Sequence, residues 1–365
     1  MNIKFLNAAN DPFYNDVRRR VDEYFATNNI SKNANWAMIL KTVILLTAYF
    51  TPYFMMLTMD LSGWAMLGLC FIMGMALAGV GMSVMHDSCH GSYSSNRRVN
   101  DIMSYTMNLI GGNAFNWKIQ HNVKHHTYTN IYGADEDVNN GDVVRLSPYS
   151  DYKPYHKYQH IYSWVLYLLG TFSWVTIKDF RQLQQYKRER MATFSYRSEM
   201  TKLIITKLMY WGYTLAIPML VMDVPFWYVI IGFVLVHFIA GFVLTVVFQL
   251  AHIVENLEHD IVQDPTKIDH SWAVHQILTT ANFSRKNPLL NWYLGGLNFQ
   301  IEHHLFPHIC HIHYTKISEI VKKTVQDYGM EYQEFPNMIT AVVSHYRTLK
   351  QFSKGPKMEM AKVRV

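Results

Sequence analysis

The stretch Gly63-Trp64-Ala65-Met66-Leu67-Gly68-Leu69-Cys70-Phe71-Ile72-Met73-Gly74-Met75-Ala76-Leu77-Ala78-Gly79-Val80-Gly81-Met82-Ser83-Val84-Met85 runs without a charge straight into His86-Asp87-Ser88-Cys89-His90. Its length is close to the roughly 20 apolar residues that a bilayer core requires. Gly74, Ala76, Ala78, Gly79 and Gly81 give it a small-residue face that lets another helix approach closely. Three further runs are long and apolar enough to span, at about Trp36 to Met59, Leu203 to Met222 and Pro225 to Leu250. The expected fold is therefore an all-α integral membrane protein: four transmembrane helices (about 36–59, 63–85, 203–222 and 225–250) in two hairpins. Half of the 365 residues are hydrophobic, as such a fold needs.

Lys and Arg are absent from the connectors Asp60-Leu61-Ser62 and Asp223-Val224, and they concentrate in residues 1–35, 86–202 and beyond His252. The positive-inside rule then places both termini and all the histidine clusters on the cytoplasmic side. The net charge of +6 fits basic surfaces beside anionic lipid and calls for no nucleic-acid partner. Cys70, Cys89 and Cys310 show no paired spacing, so neither a disulfide framework nor an iron–sulfur site is indicated. Residues 1–30 lack the apolar core and cleavage site of a secretory signal. Val17 to Phe25 form a charged amphipathic pattern that suits a helix on the membrane surface or a solvent-facing cap helix. The aromatic run Ile161 to Phe180 reads as a helix at the interface or against the bundle, with a fifth span as the alternative. An amphipathic helix is expected at about Ile317 to Tyr328, and a frayed basic tail over Lys350 to Val365.

Three clusters gather seven histidines: His86 and His90; His121, His125 and His126; and His303 and His304 in Gln300-Ile301-Glu302-His303-His304. Imidazole is the commonest neutral metal ligand near physiological pH. A tetrahedral zinc takes about four ligands, so seven histidines imply two metals, or one metal with several bystanders. His86 and His90 are spaced i, i+4, which puts them on one helical face about 6 Å apart along the axis. His121 and His125 repeat that spacing, with His126 about 100° further round, as neighbours serving two metals would be. Lys124, inside the same turn, points to a site edge open to water, since a cation facing a metal is repelled. Gln300 reads as a weak ligand or a hydrogen-bond partner near the metal.

His252 stands at the cytoplasmic end of the fourth span, at the depth of the clusters, and is read as a ligand. His237 lies fifteen residues earlier, roughly 22 Å along the helix, and is taken as a packing or channel residue. His308, His311, His313 and His275 are expected beside the ligands or on the surface, and His156, His160, His259, His270 and His345 on the surface. Asp135, Glu136 and Asp137 either accept a ring N–H from a ligating histidine or form a solvated acidic loop. Cys89 lies between His86 and His90, and one cysteine among imidazoles says little.

The boxes HDxxH, HxxxHH and QxxHH, in that order around two hairpins, resemble the membrane fatty acid desaturase family over about residues 36–320. Thr279-Thr280-Ala281-Asn282-Phe283 and Gly295-Gly296-Leu297-Asn298 resemble it too. Residues 1–35 and 321–365 then flank the catalytic domain. The resemblance implies a cytoplasmic helical cap holding the metal site, a non-haem di-iron centre with His86, His90, His121, His125, His126, His252, His303 and His304 as ligands. The glutamine form of the third box resembles front-end and related acyl-lipid or acyl-CoA desaturases, and it leaves open whether Gln300 touches iron. Trp117 resembles a family tryptophan near the acyl channel. Many front-end relatives carry a fused cytochrome b5 domain with an HPGG motif. This sequence has no HPGG, so the expected electron donor is external, a ferredoxin or a free cytochrome b5, steered by Lys118, Lys124, Arg285 and Lys286.

The expected reaction is O2-dependent insertion of a cis double bond into a CoA- or lipid-linked acyl chain, bound in an apolar tunnel lined by aromatic and methionine side chains near the cytoplasmic ends of the spans. Removing hydrogens from unactivated methylenes calls for a redox metal, because such bonds offer no acidic proton. A di-iron hydroxylase or ketolase acting on a fatty acid, sphingolipid, carotenoid or alkane is the close alternative. A zinc-dependent membrane hydrolase or metal transporter is the remote one: transport needs ionisable groups at mid-depth, and Lys41 and Lys207 sit near span ends, where they can snorkel.

Overall fold

Four helices of the computed structural model carry enough apolar length to cross a bilayer: Trp36–Thr58, Gly63–Cys89, Tyr196–Val221 and Phe226–His252. The structure describes residues 3–6, 11–139, 143–190, 194–262 and 266–354. Asn35 and Ser62 accept backbone N–H groups at the starts of the first two spans, so each begins where the polar connector ends. The second span runs on without a break through the first histidine box. The third begins seven residues earlier than composition suggested, at a turn capped by Ser195. The fourth ends on His252. Each hairpin thus delivers histidines at its open end, opposite its connector.

Small residues set the packing of the bundle. A Cβ added to Gly74 would lie 2.8 Å from Ile239 Cβ and 2.9 Å from the Val236 carbonyl oxygen, and one on Gly79 would lie 2.6 Å from Leu45 Cδ2. The second span therefore touches the first and the fourth nearly backbone to side chain. The Ile161–Phe180 run is not a fifth span among the described residues. It is broken into Gln159–Tyr167, Gly170–Ser173 and a π-helical turn Trp174–Lys178. Gly241 lets this segment dock on the fourth span, for a Cβ there would meet the Leu168 carbonyl oxygen at 2.5 Å.

The N-terminal helix Pro12–Asn28 buries Phe13, Val17, Val21 and Phe25. That spacing gives it one apolar stripe, which packs on Ile317, Val321 and Val325 of the helix Tyr314–Asp327. It is therefore a cap helix of the protein rather than a helix lying in lipid. A later helix, Met338–Phe352, was not anticipated, and its buried stripe includes Ala341, His345 and Leu349. The tail from residue 355 lies outside the described residues. Three two-stranded parallel pairings tie the cap together: Ile3–Phe5 with Thr266–Ile268, Ile131–Tyr132 with Asp260–Ile261, and Asn282–Phe283 with Glu334–Phe335.

Several polar residues read as surface groups are buried. Lys41 and Lys207 do not snorkel: both are about as enclosed as core leucines, and Lys207 Nζ lies 2.6 Å from Asp179 Oδ2. His156, His259 and His345 are buried too. His345 donates from Nδ1 to the Ile253 carbonyl, and its Nε2 accepts from the Tyr167 hydroxyl. His237 packs within the bundle between Tyr210 OH and Thr171 Oγ1. Each of these partners comes from a distant segment, which local spacing does not report.

Gly295 presses the cap onto the second span at the turn before His86. Its φ is +62°, and a Cβ would fall on the Met82 carbonyl oxygen at 2.2 Å. Gly295→Ala is expected to add about 1–3 kcal/mol of backbone strain and to force the loop off the span. The variant should show a lower thermal midpoint in detergent-purified protein; an unchanged midpoint would refute this account.

Candidate metal centre

Local winding explains how the second box works. Residues Lys118–His125 form a π-helical turn in which the His126 N–H bonds to the His121 carbonyl five residues back. Residues five apart therefore come to one side, and His121 Nε2 and His126 Nε2 lie 3.1 Å apart. His303 Nε2, from the helix Gln300–Leu305, is 2.9 Å from His126 Nε2 and 3.4 Å from His121 Nε2. Two nitrogens bound to one ion at about 2.1 Å stand about 3.0 Å apart at a right angle and about 3.4 Å apart at a tetrahedral angle. The three nitrogens thus have the mutual spacing of the edges of a coordination shell.

All eight histidines anticipated as ligands meet in this region. Ligand nitrogens of His86, His90, His121 and His303 lie within 4.8 Å of one another, as do those of His125, His252 and His304; His126 with His303 and His304 joins the two groups. The adjacent pair His303 and His304 splits between them, with rings nearly perpendicular at 87°. Gln300 is buried beside His252, and its Oε1 has no partner among the described residues.

The outward-facing nitrogens are held by the cap. His125 Nδ1 donates to Asp135 Oδ2 at 3.0 Å, and His304 Nδ1 to Gln276 Oε1 at 2.7 Å. His252 Nδ1 faces the Thr279 carbonyl, and His303 Nδ1 faces Tyr314 OH. These contacts place hydrogens on Nδ1 of His125 and His304 and aim their Nε2 lone pairs inward. The Nε2 atoms of His86, His90, His125, His252 and His304 are buried without a hydrogen-bond partner among the described residues. Buried nitrogens left open in this number are costly unless something binds them, and neutral imidazoles around one point are a donor set that suits a first-row transition metal.

Electrostatics agree with that assignment. Burial, and then the neighbouring histidines, hold His90, His121, His126, His303 and His304 well below the ordinary histidine range, so they stay neutral with lone pairs available. At His125 burial pulls the same way, but the Asp135 charge and hydrogen bond outweigh it and raise the pKa. Asp135 is fully buried and also accepts the Asn130 and Asp137 backbone N–H groups. The Asp135 stretch is thus an anchor for His125, and the solvated-loop alternative fails.

Other expectations change. Lys124 is not at a wet edge: it is buried, with Nζ 2.5 Å from Glu136 Oε1 and 2.7 Å from Glu189 Oε2. Arg285 is engaged by Glu319 and Glu334, and Lys118 lies 3.7 Å from Asp101. Of the four proposed steering cations, Lys286 stays exposed with no ion pair among the described residues. Trp117 stacks on His121 with ring centroids 4.3 Å apart and also borders His86 and His90. His275 braces the site from outside, donating from Nε2 to the Thr129 carbonyl at 2.8 Å. Thr129 and Gln276 were missed, since nothing in their own sequence neighbourhood marks them. His308 is exposed and His313 meets the Asn33 carbonyl. An apolar cavity of about 430 Å³ lies among Tyr49, Tyr53, Met73, Tyr210, Phe233 and Val236. It sits in the half of the bundle away from the histidines, because Met73 precedes His86 by about 20 Å of helix.

Comparison with known proteins gives this architecture its context. A family model described as fatty acid desaturase matches residues 62–336. The chain is 36% identical over 345 residues to an sn-1 linoleoyl-lipid 6-desaturase of Synechocystis, covering 93% of this chain and 95% of that protein. It is 36% identical over 348 residues to a protein of the same description from Arthrospira platensis, covering 94% and 93%. An acyl-lipid (8-3)-desaturase of Physcomitrium patens is 33% identical over 356 residues, which are 96% of this chain and 73% of that longer protein. Agreement along nearly the whole length carries the spans and the histidine-bearing segments together, so the chain belongs to the fatty acid desaturase family and is an oxidoreductase of that kind.

Proposed function

We propose that this desaturase uses two iron ions and O2 to insert a cis double bond into a lipid-linked acyl chain. The observation that carries the two-metal reading is the division of the buried nitrogens into two groups joined by His126. In this reading His86, His90, His121 and His303 would hold one ion and His125, His252 and His304 the other, with His126 close to ligands of both groups. The bound irons supply the O2-dependent oxidation that acid–base side chains cannot. Overall, one O2, two electrons and two protons convert a –CH2–CH2– pair into –CH=CH– and two waters. The protein's part is to gather eight imidazoles together, fix the tautomers of His125 and His304 from outside, and exclude bulk water from the pocket. Gln300, buried near His252 with its Oε1 unpartnered among the described residues, would serve the second ion as a weak ligand or a hydrogen-bond partner.

The lipid-linked substrate is favoured over acyl-CoA by the names of the similar cyanobacterial and moss proteins. Electrons come from a separate ferredoxin or free cytochrome b5. The clustering of Lys and Arg outside the connectors supports a cytoplasmic active site and cytoplasmic termini. The test is expression with a ferredoxin system in a host lacking polyunsaturated lipids, with mass spectrometry of the intact lipids and of their acyl chains. New double bonds on lipid-linked chains are expected. Hydroxylated chains alone would replace the desaturase chemistry with the hydroxylase one, and products confined to the CoA pool would overturn the carrier.

Asp135 provides a graded check. Asp135→Asn keeps the size but removes the charge that makes His125 a stronger donor, and loss of such a partner typically costs about 10–100-fold in metal affinity or activity. Iron retention against a chelator should fall by that order while the apoprotein melts near the wild-type temperature. Equal retention would show that Asp135 does not act on a ligand.

A further inference from the structure

Behind the first histidine box lies a second buried group of titratable side chains that the metal centre does not use. Lys41, inside the first span, Asp87 in the box, and Cys310 and His311 after the third box are all buried. Lys41 Nζ is 3.0 Å from His311 Nε2, and His311 Nδ1 is 2.8 Å from Asp87 Oδ2. An ammonium can only donate, so His311 Nε2 accepts and the ring hydrogen sits on Nδ1, pointed at the carboxylate. The Cys310 thiol donates to the same Asp87 oxygen at 2.9 Å, and the His311 backbone N–H approaches it at 3.4 Å. Charge balances: one cation and one anion, bridged by a neutral ring, share a site that would tolerate neither alone.

These three acceptor contacts occupy Asp87 Oδ2 and leave Oδ1 facing the metal side. Asp87 Oδ1 is 4.0 Å from His86 Nδ1, which has no hydrogen-bond partner among the described residues. The other half of the centre shows the completed arrangement, His125 Nδ1 on Asp135 at 3.0 Å. Asp87, Cys310 and His311 also have the spacing of a metal site. That use is disfavoured, because His311 Nδ1 already carries its hydrogen and the Lys41 ammonium would repel a cation.

We propose that Lys41, His311 and Asp87 form a buried relay that positions His86 for ligation, so that a charge inside the first span helps set one metal site. The inference rests on the two-iron reading above. Lys41 and His311 are positioning residues, acting through Asp87 on His86. On this account the ammonium fixes the His311 tautomer, His311 fixes the carboxylate, and the carboxylate fixes the ring that binds the ion. Losing any one link frees His86 to rotate, which alters one of the two ions and not the other.

The test uses the full chain loaded with ⁵⁷Fe(II), as wild type, Lys41→Met, Lys41→Arg and His311→Gln. Its readouts are iron per folded protein, Mössbauer spectra, and kcat and KM. Lys41→Met and His311→Gln should perturb one of two iron subspectra and lower kcat by about 10–100-fold with KM little changed, and Lys41→Arg should restore part of both. If these variants do not fold, the neutral pair Lys41→Met/Asp87→Asn replaces them, and a change in one subspectrum again supports the relay. Wild-type iron content and spectra in folded variants would overturn the relay and leave the two-iron reading standing. Failure of every variant to fold would assign the cluster to stability alone and overturn the relay as well. A wild type without iron would overturn both.

Discussion

His303→Ala is expected to lower desaturation by on the order of 10³-fold or more, because residues that act as one catalytic unit lose nearly the whole effect together. The geometry singles out this side chain. Its Nε2 stands 2.9 Å from His126 Nε2 and 3.4 Å from His121 Nε2, and it belongs both to the four-histidine group and to the group that joins the halves. No nearby side chain can take its place, since the second-box nitrogens are already committed to the same point. The protein should still fold, for the change removes a neutral ring whose Nδ1 makes a 3.4 Å contact with Tyr314 OH and leaves no buried charge behind. Iron per folded protein and acyl products by mass spectrometry are the measurements. His308→Ala, an exposed position just beyond the same box, is the control and should stay within about twofold of wild type, as surface changes generally do. If His303→Ala kept more than a tenth of both iron and activity, the centre would have to be drawn around other nitrogens.

The parts of the molecule legible in the sequence are those that depend on counting along the chain. A bilayer sets a length, so four apolar runs gave four spans, and the run into His86 placed the first box at a helix end. His252 stands out the same way, as a single histidine at the depth of the clusters, and it lies beside His125 and His304. Winding was not legible: α-helical spacing sets His121 and His126 apart by about 140°, whereas the π-helical turn brings their Nε2 atoms to 3.1 Å. Nor were the groups that hold the ligands from outside. Gln276 meets His304 across 28 residues, and Lys41 meets His311 across 270. Such partners are chosen by tertiary packing, and a residue's own neighbours carry no trace of them. The same blindness made Lys124 read as a wet cation when two carboxylates, one of them 65 residues away, enclose it.

The largest expected stability effect comes from such a hidden pair, Asp179 and Lys207. Lys207 Nζ reaches Asp179 Oδ2 at 2.6 Å, the Gly111 carbonyl at 2.6 Å and the Trp174 carbonyl at 2.7 Å, which uses all three of its hydrogens. It thereby pins the third span to the segment leading to the second box and to the π-helical turn before Asp179. Removing one partner of a buried pair typically costs about 3–5 kcal/mol, a large share of the roughly 5–15 kcal/mol that holds a protein folded. Asp179→Ala, which leaves an ammonium unpaired, should be the most damaging change. Lys207→Met/Asp179→Leu should recover only part of the loss, because it removes the unpaired charge but leaves the Gly111 and Trp174 carbonyls buried without their donor, at about 1–3 kcal/mol each. Lys207→Met adds a pH signature. Burial pushes the Asp179 carboxyl up against the pull of Lys207, so without the lysine it rises further. The folded state then holds a proton that the unfolded chain releases near pH 4. The variant is accordingly at its most stable below that pH and loses stability as pH rises through the folded-state value. Thermal midpoints in detergent between pH 4 and 8 should therefore fall with pH more steeply for Lys207→Met than for wild type. Parallel slopes would mean that Asp179 stays ionised without its partner, and that water rather than Lys207 solvates it.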